Sequence, residues 1–196
     1  SNVVRKFNET LTKLYDHGYS QEDIDVYAVG KKAADAAVKV GFRLEDDWTD
    51  MADKPSYDRT SELASILIDS FAEGRVGQVM FIYSHFASTA SQPVVHQNYL
   101  PLSLNDYSSS AEPLDYILEP DPMSLVKELL PKVLLLKMYT VVLDANAAEH
   151  AARTVAMQIA TDNARNLLSE LTLAYNKGRQ QEITAEILDL IGGTMA

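Results

Sequence analysis

The sequence predicts an α/β domain followed by one very long helix, and three observations carry that prediction. Apolar residues over roughly the first hundred positions switch between helical and strand-like spacing. Helix breakers crowd the same region, with Pro55, Pro93, Pro101, Pro113, Pro120 and Pro122, whereas after Pro131 the next breaker is Gly178. From Val133 onward the apolar residues recur in alternating steps of three and four. Charge divides the same way. Residues 1–121 hold 10 Lys/Arg against 20 Asp/Glu and residues 122–196 hold 7 against 8, so the net charge of −11 belongs almost wholly to the first part. The expected organisation is a globular α/β part over 1–121 and a helical part over 122–196, with a kink near 131 and a register shift near 176–179.

Within the globular part, Val4, Phe7, Leu11 and Leu14 lie at helical spacing until His17-Gly18 stops the run. Ile24 to Val29 reads as a short buried strand ended by Gly30, and Lys31 to Val40 as an alanine-rich helix ended by Gly41. Strand, tight turn and helix in that order are the grammar of an α/β layer. A further helix follows Pro55, with Ser56 as its expected cap and Leu63, Ile66, Leu67, Ser70 and Phe71 on its buried side up to Gly74. Val79 to Phe86 and Val94 to Leu102 are rich in β-branched and aromatic residues and predict strands. Asn105 to Ala111 is polar and Ser-rich, the composition of a surface loop.

In the helical part, Pro131 implies a short first helix or a kink, because an interior proline lacks the N–H and crowds the preceding turn. Beyond it, Val133, Leu136, Leu143, Ala147, Met157, Ala164, Leu168, Leu171 and Tyr175 form one seam, with Thr140, His150, Thr154 and Thr161 as its polar members. Leu134, Met138, Val141, Ala145, Ala148, Ala152 and Val155 form a second. A helix apolar on two faces needs cover on both. Residues 132–191 as continuous helix would extend ~90 Å, and no other segment of the sequence is long enough to match it. The step from Tyr175 to Ile183 is eight residues, one beyond a heptad, after which Ile183, Ile187, Leu190 and Ile191 carry the stripe. Asn176-Lys177-Gly178-Arg179 sits at that discontinuity, where a break would turn the tip to a different face.

Most chemistry is excluded by what the sequence lacks. With no cysteine it offers no disulfide, zinc-thiolate site or Cys nucleophile. Its acidity, with no Lys/Arg-rich run, disfavours nucleic acid. No apolar stretch approaches the ~20 residues of a membrane span, and the start resembles no signal peptide, so a soluble protein without direct membrane insertion is expected. His17, His85, His96 and His150 show no metal-binding spacing, and Gly30-Lys31-Lys32 lacks the rest of a phosphate loop. Ser124-x-x-Lys127 lacks the companion motifs of a penicillin-binding site. The acidic run Glu45, Asp46, Asp47, Asp50 and Asp53 has no EF-hand order. More informative are Arg153, Asn163, Asn176, Arg179, Gln180, Thr184 and Glu186, polar groups beside the apolar stripe. Arg, Asn and Gln can direct hydrogen bonds to a partner, and Arg matches carboxylates in a fork.

Ile183-Thr184-Ala185-Glu186-Ile187-Leu188-Asp189, followed by Gly193, closely resembles the terminal signature of the gamma subunit of bacterial-type F-type ATP synthases. The resemblance extends upstream through Glu149, Arg153, Ala156-Met157, Ala160-Thr161, Asn163-Ala164, Tyr175-Asn176 and Arg179-Gln180. In the globular part it includes Asp115-Tyr116 and Glu119-Pro120-Asp121-Pro122. Thr194 and Leu118 depart from the family's usual alanine and aromatic. Family members begin with a long helix and a first strand ending in an Asp-Arg-Gly-Leu-Cys-Gly-Gly-Leu-Asn type motif, and this sequence looks like it starts directly after that motif.

The resemblance implies a Rossmann-like foot and a C-terminal helix that forms an antiparallel coiled coil with that absent N-terminal helix. It implies a non-catalytic central-stalk rotor without cofactor, metal or catalytic residues, which couples proton-driven rotation of the membrane c-ring to conformational change in the alpha and beta hexamer, beside the epsilon subunit. The place implied is the cytoplasmic face of the bacterial plasma membrane. The residues carried over as subunit contacts are Arg153, Asn176, Arg179, Gln180, Thr184 and Glu186, with Ile183, Ile187 and Leu190 in an apolar sleeve and Glu119 facing the ring. Two other readings remain open at this stage: a coiled-coil scaffold with an α/β domain, and a small α/β enzyme with a helical oligomerisation arm.

Overall fold

A computed structural model describes residues 2–44, 46–102, 119 and 121–194 of the chain, with backbone alone for 192–194. The expected loop at 105–111, the positions Asp115, Tyr116, Leu118 and Pro120, and Glu45 of the acidic run lie outside the described residues. The chain forms two compact units, residues 1–152 and residues 153–196. The element order is α1 (Asn2–Asp16), a single 3-10 turn, α2 (Lys31–Val40), α3 (Asp50–Asp53), α4 (Tyr57–Ala72), β1 (Val79–Ser84), β2 (Val94–Leu100) and α5 (Pro122–Thr194).

Local chemistry explains the ends of these elements. Beyond α1, Gly18 takes a positive φ of 91° and the chain turns. Gly41 closes α2 in the left-handed region, which L side chains disfavour. Gly30 opens α2 at φ 98° and ψ 142°, and a Cβ there would meet the Ala52 Cβ at 3.1 Å. Gly30→Ala is therefore expected to cost about 1–3 kcal/mol, from backbone strain with crowding added, measurable as a lowered urea midpoint at unchanged slope. Ser56 occupies the cap position of α4 without the side-chain hydrogen bond its residue type implies. Separately, the buried Thr60 hydroxyl donates back to the Ser56 and Tyr57 carbonyls at 2.9 and 3.0 Å.

The sheet of the first unit is smaller than the strand count in the sequence implies. β1 and β2 pair antiparallel, with Met80 opposite Asn98 and Ser84 opposite Val94, two residues shorter at each far end than expected. Residues 24–29 join no ladder among the described residues. They still show the strand period of two: Ile24, Val26 and Ala28 are covered, whereas Asp25 and Tyr27 are exposed. Ile24 and Val26 pack against Leu11, Ala37 and Phe42, so the apolar alternation is satisfied by helices α1 and α2 instead of by a neighbouring strand.

The main core lies where α4, the hairpin and the start of α5 meet. Trp48, Met51, Leu63, Ala64, Leu67, Val79, Tyr99, Leu100, Leu134, Met138 and Val142 form one buried cluster. α5 runs through Pro131 without interruption, so no separate first helix forms. Its second seam is buried at Leu134, Met138 and Ala148, and this corrects the expectation that nothing within the chain covers that face. The chain's own hairpin and α4 do so. The first seam in the same stretch, at Val133, Leu136 and Leu143, stays exposed.

Tyr99 ties the hairpin to the helix. Its ring is fully buried, and its hydroxyl donates to the Leu134 carbonyl at 3.0 Å. Burial pushes its phenol from 10.0 up to about 12. Between those values the unfolded chain has released this proton and the folded chain has not. The stabilisation is complete below pH 10 and is lost as pH rises toward 12. Urea unfolding at pH 9 and pH 11 is expected to show that decline, and to show less of it in Tyr99→Phe.

Candidate subunit-contact surface

The residues singled out from sequence divide into one group on α5 and one position before it. Glu119 is exposed and precedes the start of α5. The helix start itself is organised by Asp121, whose Oδ1 accepts the backbone amides of Met123 and Ser124 at 3.0 Å each. Hydrogen bonds from the Ser124 side chain, then from the backbone, hold this carboxyl below the usual carboxylate range. Asp47 is held low in the same way by the Thr49 hydroxyl and amide, which gives one member of the acidic run a local structural task.

Arg153, Asn176, Arg179, Gln180, Ile183, Thr184, Glu186, Ile187 and Leu190 all lie in the second unit and all are exposed. Helical geometry sorts them. At about 100° per residue, Asn176, Gln180, Ile183, Ile187 and Leu190 fall within a stripe about 80° wide, flanked by Arg179 and Glu186 on one side and Thr184 on the other. Arg153 is not brought into that group. It lies 23 positions earlier, roughly 35 Å along the axis and on the far side of the helix. The expected break at residues 176–179 is absent, since α5 stays helical through them. The eight-residue step alone turns the tip stripe by about 80° from the seam of Met157, Leu168, Leu171 and Tyr175.

Several side-chain bonds on this surface run back to the preceding turn of the same helix. Thr172 and Thr184 return their hydroxyls to the carbonyls of Leu168 and Gln180 at 2.8 and 2.7 Å. Arg165 meets Asp162 at 3.7 Å, a solvated pair of little energetic weight. Every side chain from Arg153 to Ile191 is exposed, apolar ones included. Apolar surface of that extent is the kind that other surfaces pack against. Among the described residues no group of His, Asp and Glu is arranged to hold a metal, and no helix is long and apolar enough to cross a membrane.

The profile of the ATP synthase family, described as ATP synthase, matches residues 1–196. The ATP synthase gamma chain of Phocaeicola vulgatus is 46% identical over 199 residues, covering 100% of this chain and 68% of that protein. That of Bacteroides fragilis is also 46% identical, over 200 residues and with the same coverage. This chain belongs to the ATP synthase gamma chain family.

Gamma-chain membership bears out the resemblance carried by the C-terminal signature, and the central-stalk role stands on the same matches. The α/β class with a long C-terminal helix is likewise borne out. A chain of the Euglena gracilis mitochondrial ATP synthase, from a structure of OSCP, F1 and c-ring, superposes with a TM-score of 0.54 at 23% identity. That match covers 96% of this chain and 66% of the other, and at such identity it speaks for the fold. This chain thus spans about two thirds of the length of the gamma chains it matches.

Sequence reasoning missed three polar residues of this gamma-family chain that fasten α5 in the first unit. Asp144 accepts the Phe86 backbone amide at 2.9 Å on Oδ1 and meets His85 Nδ1 at 2.6 Å on Oδ2. Asn146 donates from Nδ2 to the Ala52 carbonyl at 2.6 Å. The third is Tyr99. The one available signal was a carboxylate in the otherwise apolar run Val141-Val142-Leu143-Asp144-Ala145. Its partners lie 58 and 59 positions away, beyond the reach of any local pattern.

Proposed function

We propose that the chain is the non-catalytic rotor of an F-type ATP synthase. Its α/β unit serves as the foot and α5 as the shaft. The observation that carries this reading is the exposed apolar surface of α5: a seam through Tyr175 and then a tip stripe turned to another face. An N-terminal helix of the same subunit winds antiparallel over the seam, and the tip turns inside the hexamer of alpha and beta subunits. The apolar residues Ile183, Ile187 and Leu190 allow sliding, while Arg179, Gln180, Thr184 and Glu186 supply directed bonds that favour particular angular positions. An asymmetric shaft biases each catalytic site toward a different conformation through differences in contact free energy. On this reading Arg153 contacts the hexamer lower on the shaft, and Glu119 faces the c-ring beside the epsilon subunit. The complex sits at the cytoplasmic face of the bacterial plasma membrane, with proton flow turning the ring.

The test is reconstitution. The complete subunit, expressed with alpha and beta subunits, is expected to co-purify with their hexamer and to support ATPase activity. A complete subunit that folds but leaves the hexamer inactive or unbound overturns the reading, and stable homodimers instead would favour a scaffold.

A further inference from the structure

The buried stripe of α5 is apolar, and apolar packing alone has little preference for angle: Leu134, Met138, Val142 and Ala148 could keep most of their cover while the helix rolled by a few degrees. Directed hydrogen bonds remove that freedom, and their placement in the first unit is systematic. At about 100° per residue, Asp144 and Asn146 point about 200° apart, one on each flank of the buried stripe. Asp144 holds the exit of β1 with both carboxylate oxygens, through the Phe86 amide and the His85 ring. Asn146 holds the Ala52 carbonyl of α3 on the opposite flank. A third tie, from the Tyr99 hydroxyl to the Leu134 carbonyl, fixes the hairpin's other end roughly 15 Å earlier along the helix.

We propose that Asp144 and Asn146 are positioning residues that lock the rotational angle of α5 against the α/β unit. One tie would act as a pivot. Two ties on opposite flanks resist rolling about the helix axis, and the third, displaced along the axis, resists tilting. Asp144 suits its place because an ionised carboxylate accepts on both oxygens at once and makes stronger bonds than a neutral acceptor. The Asp144 side chain has 24% of its surface exposed and that of His85 47%, so water reaches the pair mainly from the His85 side. A shaft that transmits torque needs such a lock at its root, and in that respect the inference rests on the rotor reading above.

The experiment uses the complete subunit assembled into ATP synthase in membrane vesicles, as wild type, Asp144→Ala/Asn146→Ala and Asp144→Asn. The double variant is expected to keep ATP hydrolysis and to lose part of the proton pumping achieved per ATP. Asp144→Asn is expected to restore the wild-type ratio when Asn146 is intact, since the amide can accept from Phe86 and donate to His85. A merely destabilised subunit would lower hydrolysis and pumping together. Amide exchange supplies the second readout: Asp144→Ala is expected to speed exchange at Phe86 about ten- to hundredfold while β2 amides stay unchanged. That readout decides the matter if the double variant fails to assemble. An assembled double variant that pumps like wild type, or unchanged exchange at Phe86 in Asp144→Ala, overturns the lock. A wild-type subunit that itself does not couple hydrolysis to pumping instead overturns the rotor reading.

Discussion

Met138→Ala is expected to destabilise the chain by about 2–5 kcal/mol, whereas Met157→Ala in the same helix is expected to shift stability by less than about 0.5 kcal/mol. The residue type and the helix are the same; the surroundings differ. Met138 is 3% exposed, packed in the cluster with Trp48, Leu63 and Tyr99. Truncating it leaves a cavity that neighbours in regular elements fill only in part. Met157 is 62% exposed, so its removal takes almost nothing out of contact. Urea titrations of the two variants check this, and equal costs would mean that the start of α5 is not part of the core. Both residues belong to apolar stripes of similar spacing, so the contrast separates what helical periodicity announces from what the rest of the chain covers.

The tip carries the second large expected effect, in turnover. Arg179→Ala with Gln180→Ala in the complete subunit is expected to slow ATP turnover of the reconstituted hexamer about tenfold, a loss of ~1.4 kcal/mol of differential contact. The urea midpoint of the isolated chain is expected to stay where it was. Both side chains are exposed, and removing exposed groups outside caps and ion-pair networks seldom alters stability. Unchanged turnover in a hexamer that has taken up the variant would remove these two residues from the contact surface.

Different parts of the architecture were legible to different degrees. α2 was legible to the residue, because Gly30 and Gly41 sit where a positive φ is required at either end of an alanine-rich run. The two strands were legible because β-branched and aromatic residues concentrate in them, although they end before Phe86 and Leu102 and their antiparallel pairing came only with the structure. Residues 24–29 illustrate the limit. Alternation reports which side chains are covered, and it is silent on whether a neighbouring strand supplies backbone partners. Ile24 and Val26 are covered by helices, and their segment joins no sheet among the described residues. Ser56 shows the same limit at a smaller scale, since a good capping residue took the cap position without making the capping bond.

By itself the sequence determined the class of the fold, the two apolar faces of α5, the turned stripe at its tip and the gamma-chain signature within it. Each of these is a matter of spacing along one chain, and helical geometry converts spacing into direction without further information. Only the tertiary structure decided which face of α5 the chain covers for itself, and how the helix is held at its root. Leu134 and Val133 are neighbours in sequence and similar in chemistry, yet one is 5% exposed and the other 55%. That difference is made by Tyr99, Leu63 and the hairpin, brought from far along the chain. The bonds of Asp144 and Asn146 likewise join residues 58 to 94 positions apart, and a directed bond exists only where folding has brought donor and acceptor within about 3 Å.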